Sequence, residues 1–436
     1  MSNRRVLVVG TTADYVDIID RRFPQRAIFI TDVRERTKAA EPPPSSNVEL
    51  LCDLSRPEQV VAAVRKHLER WQMEPSGVAC FDCESMPLAA FIARVFGLSY
   101  PSAEAITACR SKYVSKLVWR QVGLPCPDVE LVHNASDAVN FLRRINGPGV
   151  LKPLTGSGSE LVFLCSNEEE CVVAFDKLKS RLAKHVNRRM YAPYLFDGKK
   201  IDPRKVFVIE EFISGGEYSC DFVVEGDHVE ILRIARKIPD KEQAFGTTLA
   251  YVLPPEHPPE LDEESFCSQL CKASRGLGLD WNICMLDFVT QGNQAFMVEI
   301  APRPGGDCLP PLLLKSCGMD ILGYTLDFAE MRPLSLPKPS KWRSLVGVRL
   351  FATHSGEINF IDSSALRKDH RVVEWCIKRS SGHRVVLPPE DYDSRLLGHV
   401  IFEPSGSEGI EKECAEITSK LKVEMKTQVC ATVNSS

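Results

Sequence analysis

Two carboxylates set inside apolar strands constrain this chain more than any other feature. Residues 283–290 and 294–300 read as β-strands joined across Gly292-Asn293. Asp287 lies inside Met-Leu-Asp-Phe-Val and Glu299 inside Phe-Met-Val-Glu-Ile, so the hairpin lets both acids face one site. A carboxylate enclosed by apolar side chains is costly unless a cation or a metal compensates it. Two hard oxygen donors suit magnesium, which fills its remaining positions with water and phosphate oxygens. Arg303 follows Glu299 by four residues and suits a phosphate or acyl-phosphate oxygen. Gly305 and Gly306 come next and offer backbone N–H groups to a substrate carboxylate. The competing account pairs the two acids with buried arginines such as Arg303.

A second set of residues precedes this hairpin. Lys152 ends a strand at 150–153, and Thr155-Gly156-Ser157-Gly158-Ser159 leads into a further strand at 160–164. Glycines let backbone N–H groups approach phosphate oxygens closely, and a lysine adds a point charge. Lys112 lies forty residues before Lys152, at the start of a helix read over 111–122. The strand 206–213 ends in Glu210-Glu211-Phe212-Ile213, and Ser214-Gly215-Gly216-Glu217 follows. A strand ending in adjacent acids and an aromatic could offer backbone groups to an adenine edge, with Glu217 reaching ribose hydroxyls. Arg233, Arg236 and Lys237 put basic side chains on the strand 229–238; either they meet a substrate carboxylate or γ-phosphate, or they form a charged strand edge.

Around these motifs the chain alternates. Strands at 6–9, 27–30, 48–51 and 78–81, with helices at 57–70 and 87–96, point to an open, mostly parallel sheet. The first strand ends Gly-Thr-Thr-Ala-Asp-Tyr, which lacks the glycine pattern of a dinucleotide site. Further helices read at 136–146, with Ser136 as N-cap, at 168–185 and at 261–276. Three prolines in 331–343 read as a linker to a smaller α/β domain with strands at 346–353 and 399–402 and a last helix at 408–422. The formal net charge of -4 provides no global basic field for a nucleic acid backbone. No apolar run approaches a membrane span, and the five-residue run after Arg4-Arg5 is too short for a signal peptide. The sixteen cysteines, scattered in apolar stretches, read as buried thiols of a reducing cytosol, so a cytoplasmic protein is expected. Cys80-x-x-Cys83 lacks the second pair or histidines of a zinc site.

Taken in order, Lys112, Lys152 with its Gly/Ser loop, EEFISGGEYS, and Asp287, Glu299 and Arg303 resemble the ATP-grasp superfamily, the group of biotin carboxylase, D-alanine–D-alanine ligase and the L-amino-acid ligases. The resemblance implies an α/β fold in three parts: an N-terminal parallel α/β domain over 1–107, an α+β ATP-grasp fold over 108–330, and a small C-terminal domain over 331–436 like that of L-amino-acid ligases. It implies that Lys112 and Lys152 contact ATP phosphates and that Gly156, Ser157, Gly158 and Ser159 form a mobile flap. Glu210, Glu211, Phe212 and Ile213 would form the adenine hinge, and Glu217 would hold the ribose. Asp287 and Glu299 would hold Mg2+, with Mn2+ as a substitute. Arg303 would stabilise the transferring phosphoryl group, and Gly305, Gly306, Arg233 and Lys237 would face the substrate.

The implied activity joins an amino acid or similar carboxylate to an amine through an acyl phosphate, releasing ADP and phosphate. Its partners are then small-molecule carboxylate and amine substrates, without nucleic acid or membrane, and a homodimer is compatible with the resemblance. Bicarbonate activation and non-catalytic nucleotide binding are the alternatives. The family usually has Asn two residues after the metal-binding Glu, and this chain has Ala301, which weakens a second metal position. The sequence Glu-Ile-Ala-Pro-Arg-Pro also resembles carboxyaminoimidazole-type synthetases, whose glycine-rich opening turn is missing here.

Overall fold

The computed structural model describes residues 3–254, 261–333, 342–406 and 409–426. The chain packs as two units: residues 1–236 with 253–343, and residues 237–252 with 344–436.

The first unit opens with β1 (Arg4–Val9), α1 (Ala13–Arg22), β2 (Ala27–Asp32), α2 (Val33–Lys38), β3 (Glu49–Cys52), α3 (Pro57–Trp71), β4 (Glu74–Ala79), α4 (Met86–Phe96) and α5 (Ala103–Arg110). The four strands pair in parallel in the order β3-β2-β1-β4. This is the open parallel sheet expected from the alternation. β4 begins four residues earlier than the apolar run at 78–81 implies. It is an edge strand, where Pro75 lacks no needed ladder donor. Residues 80–85 instead form a loop in which Asp82 accepts hydrogen bonds from the Thr11 N–H (2.9 Å), the Ser85 N–H (2.6 Å) and the Ser85 hydroxyl (2.9 Å). α1 and α5 carry few buried apolar positions, and the sequence reading passed over both.

Next come α6 (Lys112–Gln121), β5 (Val129–Val132), α7 (Ala135–Ile145), β6 (Gly149–Pro153), β7 (Phe163–Cys165), α8 (Glu168–Lys184), β8 (Tyr194–Phe196), β9 (Lys199–Ile201) and β10 (Phe207–Glu211). Strands pair in the order β5-β10-β6-β7. The N-cap of α7 is Asn134 rather than Ser136, because Asn134 and Asp137 form a reciprocal capping box. The strand expected at 160–164 is shortened to β7, since Ser159 and Leu161 adopt positive φ and break the extended backbone.

β11 (Gly216–Glu225), β12 (His228–Pro239), β13 (Thr248–Leu253), α9 (Glu263–Gly276), β14 (Trp281–Gln291), β15 (Gln294–Ala301), α10 (Leu309–Cys317) and α11 (Ile321–Ala329) follow. In the first unit the strands run β15-β14-β11-β12, all antiparallel. One face of this sheet buries Cys220, Phe222, Leu286 and Phe288 against Phe266 and Leu270 of α9 and Trp119 of α6.

The second unit contains the 237–252 hairpin and β16 (Leu345–Phe351), β17 (Gly356–Asp362), α12 (Ser364–Lys368), β18 (Val372–Ile377), β19 (Arg384–Val385), β20 (Leu396–Phe402), α13 (Ile410–Ser419) and β21 (Lys422–Met425). Its strands order as β13-β16-β20-β18 over a core that includes Val348, Val400, Cys414 and Ile417. Residues 334–341 of the proline-rich stretch lie outside the described residues. Among the described residues no helix is long and apolar enough to cross a membrane. The described cysteines are all free thiols.

Candidate functional site

The site is built where three elements of the first unit converge: the start of α6, the β6–β10 pair, and the β14–β15 hairpin. Ser111 caps α6 by accepting from the Val114 N–H, which fixes Lys112 at the first helical position. The Lys112 ammonium lies 3.2 Å from the Gly156 carbonyl and 3.4 Å from Glu299 Oε2. Lys116, one turn later on the same face, has no exposed side-chain area. Its ammonium lies 3.0 Å from Glu210 Oε1 and donates to the Val298 carbonyl.

Strand register explains the next contact. Lys152 stands opposite Val208, so its diagonal neighbour on the same face is Glu210. The two side chains meet at 2.7 Å, both nearly fully buried. Burial opposes ionisation of Glu210, but Lys116 and Lys152 outweigh it and hold its carboxyl below the ordinary range. Burial pushes Lys152 down to about 8, against the pull of Glu210.

On the hairpin, Asp287 and Glu299 are direct cross-strand partners. The register then skips to Phe288 opposite Met297, which leaves Val298 as the extra residue of a β-bulge. That bulge frees the carbonyl that Lys116 uses. Asp287 and Glu299 are half-buried rather than enclosed, a correction to their apolar sequence setting. Burial opposes ionisation of Glu299, yet Lys112, Lys116, Lys152 and Arg303 together hold it below its ordinary range. Two adjacent hard carboxylates beside a cluster of lysines are donors of the kind that fit a magnesium ion. Among the described residues, no cluster of three or more His, Cys, Asp or Glu side chains offers an all-protein metal cage.

The Arg303 guanidinium lies across Cys83: Nε and Nη2 donate to Cys83 Sγ at 3.3 and 3.2 Å, and Nη1 donates to the Pro304 carbonyl at 2.8 Å. These contacts fix the plane of the guanidinium. Burial opposes the charged form of Arg303, but Cys83 and Glu299 keep its proton bound more tightly than usual. A small opening is lined by Cys83, Arg110, Gly156, Met190, Glu299 and Ala301. Gly156, Gly158 and Ser159 all have positive φ, and the loop they form is anchored at its far end by Glu160, which accepts from Tyr191 (2.7 Å) and contacts His185 (2.8 Å). Ser157 lies in the same loop.

Several expected roles need correction. The Glu210 side chain is engaged in the interior by both lysines, which leaves only its backbone for the expected hinge role. Glu211, Phe212 and Ile213 leave the strand half-exposed, with the Phe212 N–H bonded to the Pro148 carbonyl at 3.1 Å. Glu217 is half-buried on β11. Arg233 has no exposed side-chain area and faces no open site; its Nε meets Asp221 at 2.7 Å and its Nη1 donates to the Ser219 carbonyl at 3.0 Å. The Gly305 N–H, expected to face a substrate, donates to the other oxygen of Asp221 at 2.8 Å. Burial pushes the Asp221 carboxyl up, although Arg233 opposes this. Arg233 and Gly305 therefore scaffold the loop, and Gly306 remains half-exposed beside Arg303. Lys237 is assigned to the second unit. The sequence reading missed Lys116, Ser219, Asp221 and Cys83. The i,i+4 spacing from Lys112 was the signal for Lys116, and an acid inside the apolar run Cys-Asp-Phe-Val-Val was the signal for Asp221; Ser219 and Cys83 carried none in sequence.

Comparison with known proteins agrees with this geometry. Residues 145–311 match the family described as ATP-grasp domain. The chain thus carries an ATP-grasp domain and has the mixed α/β fold of the ATP-grasp ligases. Its likeness extends over 98% of this chain and 100% of an L-amino acid ligase from Bacillus licheniformis, at a TM-score of 0.77 and 17% identity. The biotin carboxylase domain of Hydrogenobacter thermophilus 2-oxoglutarate carboxylase, solved with MgADP and bicarbonate, is similar over 96% of this chain and 90% of its own, with a TM-score of 0.64 and 15% identity.

Among curated relatives, uncharacterized protein y4rH of Sinorhizobium fredii is 26% identical over 62% of this chain and 52% of its own length. D-alanine–D-alanine ligase of Ralstonia pickettii is 22% identical over 57% of this chain and 71% of its own. Carnosine synthase 1 of Mus musculus is 24% identical over 61% of this chain and 32% of its own. The chain thus spans about half of the first of these relatives and about a third of the last.

Proposed function

We propose that this protein is an ATP-dependent carboxylate–amine ligase that joins an amino acid, or a similar carboxylate, to an amine and releases ADP and phosphate. The observation that carries the reading is the convergence of Lys112, Lys116, Lys152 and Arg303 on Glu299 and Glu210. With Asp287 there are four cations and three carboxylates, an excess of positive charge that suits a polyanion. Relatives that form amide bonds, and the L-amino acid ligase fold, support the same reading.

In this mechanism Lys112 and Lys152 hold the phosphates, and the 156–159 loop closes over them to exclude water. Asp287 and Glu299 would hold magnesium, which would supply neutralising charge to the phosphates when bound. A carboxylate oxygen attacks the γ-phosphorus and ADP leaves. Arg303 balances the charge that builds on the transferring group. The amine nitrogen then attacks the acyl carbon, loses its proton, and inorganic phosphate departs. Positioning and electrostatics do this chemistry, so no protein nucleophile is invoked. Glu211, Phe212 and Ile213 offer the adenine edge, and Glu217 the ribose contact.

The test is phosphate release from ATP and magnesium with amino acids singly and in pairs, and with bicarbonate alone in parallel. Turnover that requires a particular pair, with a product one water lighter than their sum, is the expected result. Turnover with bicarbonate alone refutes it in favour of a carboxylase-type reaction. ATP binding without turnover on any arm refutes it in favour of a non-catalytic nucleotide binder.

A further inference from the structure

The N-terminal sheet has a switch point. Winding runs from β1 outward through β2 to β3, then returns to place β4 on the other side of β1. In open α/β sheets the crevice outside the carboxyl ends of the two strands at such a point is where ligands bind. Here that crevice lies between Gly10–Thr12 and residues 80–85. Asp82 bridges the two loops through Thr11 and Ser85. Cys83, from the same strand end, holds the Arg303 guanidinium. The crevice therefore meets the site already described.

Tyr15, in the first turn of α1, reaches into this junction. Its ring packs on Phe81 with centroids 5.8 Å apart. Its hydroxyl lies 3.9 Å from where a Cβ on Gly306 would stand. The hydroxyl is enclosed, and among the described residues it has no hydrogen-bond partner. Burial pushes the phenol far up its scale, so the hydroxyl keeps its proton and remains a donor. Arg303 is among the charges that act on it. A buried donor without a partner is costly, and phenylalanine would fill the same space without that cost.

We propose that the Tyr15 hydroxyl is a substrate-binding group that donates a hydrogen bond to a carboxylate oxygen of the acyl-donating substrate held at Arg303 and Gly306. This rests on the ligase reading above. α1 then supplies the acyl subsite with its neutral donor, Arg303 supplies its charge, and Gly306 leaves room for the substrate where a side chain would intrude.

The test compares wild type with Tyr15→Phe, using hydroxylamine as the amine and single amino acids as carboxylates, and reads hydroxamate formation. Tyr15→Phe is expected to raise KM for the carboxylate about tenfold or more, as loss of a hydrogen bond to a charged oxygen predicts. ATP affinity should be unchanged, and the thermal midpoint unchanged or higher. An unchanged carboxylate KM overturns the proposal. So does a lowered thermal midpoint with ATP binding lost, which would mean the hydroxyl serves the fold. Wild type that forms no hydroxamate with any amino acid overturns the ligase reading itself, and this inference with it.

Discussion

Replacing Glu210 by glutamine removes the carboxylate that Lys116 and Lys152 share while keeping its shape. The two ammoniums lie 3.0 and 2.7 Å from it. At an effective dielectric near 20, each attraction is about 6 kcal/mol, most of it offset by the desolvation of three buried ions. Removing one partner of such a pair typically costs about 3–5 kcal/mol, because the remaining charge stays buried. The escape route is deprotonation. For Lys152, taking a group with an unfolded value of 10.5 to neutrality at pH 7 costs about 5 kcal/mol, and its folded value near 8 means about 70% of that is already spent in the native protein. Glu210→Gln should therefore destabilise the site by about 3–5 kcal/mol.

Lys116→Met should cost less, about 1–3 kcal/mol, since the Lys152–Glu210 pair survives and the loss is largely the bond to the Val298 carbonyl. The double variant should fall short of the sum by about 2 kcal/mol, because Lys116 no longer needs Glu210 once it is gone. Native-state hydrogen exchange at the amides of α6, β6 and β10 reads these opening energies directly in a chain of two units, where a single unfolding midpoint does not. If Glu210→Gln lowers them by less than 1 kcal/mol, or if the two effects simply add, the buried triad is not what holds these elements together.

Two further perturbations follow from the same geometry. Burial, and then the charge of Asp82, raise Glu84 from its ordinary 4.5 to about 7. Between those values the native state holds a proton that the unfolded state lacks, so stability falls as pH rises through that window. The full gap is worth about 3 kcal/mol, reduced to about 1–2 for a half-buried side chain. Glu84→Gln should match wild type near pH 5 and exceed it at pH 8 in denaturant titrations; a constant difference across pH would contradict this. Gly305→Ala would put its Cβ 2.5 Å from Arg233 Nη2 and 3.2 Å from Asp221 Oδ1. It should lower phosphate release by about a hundredfold through a loop shift of about 1 Å while sparing ATP binding; wild-type turnover would show that the loop tolerates the displacement.

The fold and the centre of this site were legible in sequence where a residue type conflicts with its local setting. Asp287 and Glu299 interrupt apolar strands, and period-2 patterning with a Gly-Asn turn fixes them on one hairpin. Lys152 follows a buried run, and the register then carries it to Glu210. What sequence does not carry is the division of labour among like residues. Arg233 and Arg303 read alike as basic side chains near a substrate, yet one is sealed against Asp221 and the other is half-buried and lies on Cys83. Tertiary pairing with Asp221, an acid in an apolar strand like Asp287, decides this. Cys83 was similarly silent, because a thiol in an apolar stretch reads as core until the loop 220 residues away lays its guanidinium on it.

The same division explains why a chain with so many buried charges in one place is not simply unstable. The fully enclosed pairs, Arg233 with Asp221 and Lys116 with Glu210, compensate themselves and fix backbone: the first holds the Gly305 N–H, the second ties α6 to the bulge at Val298. Asp287, Glu299 and Arg303 are only half-buried, and Glu299 lines the opening. Neighbours hold two of them ready, because Lys112 and the other nearby cations keep Glu299 ionised and Cys83 keeps the Arg303 guanidinium in plane. Under the proposed ligase reading, a polyanion entering there would meet groups already charged and already oriented, and its binding energy would go into the phosphoryl centre and not into rearranging the protein. That argument fails if the bound state requires the Lys116–Glu210 contact to open. The exchange protection of α6 should therefore rise, not fall, when ATP and magnesium are added.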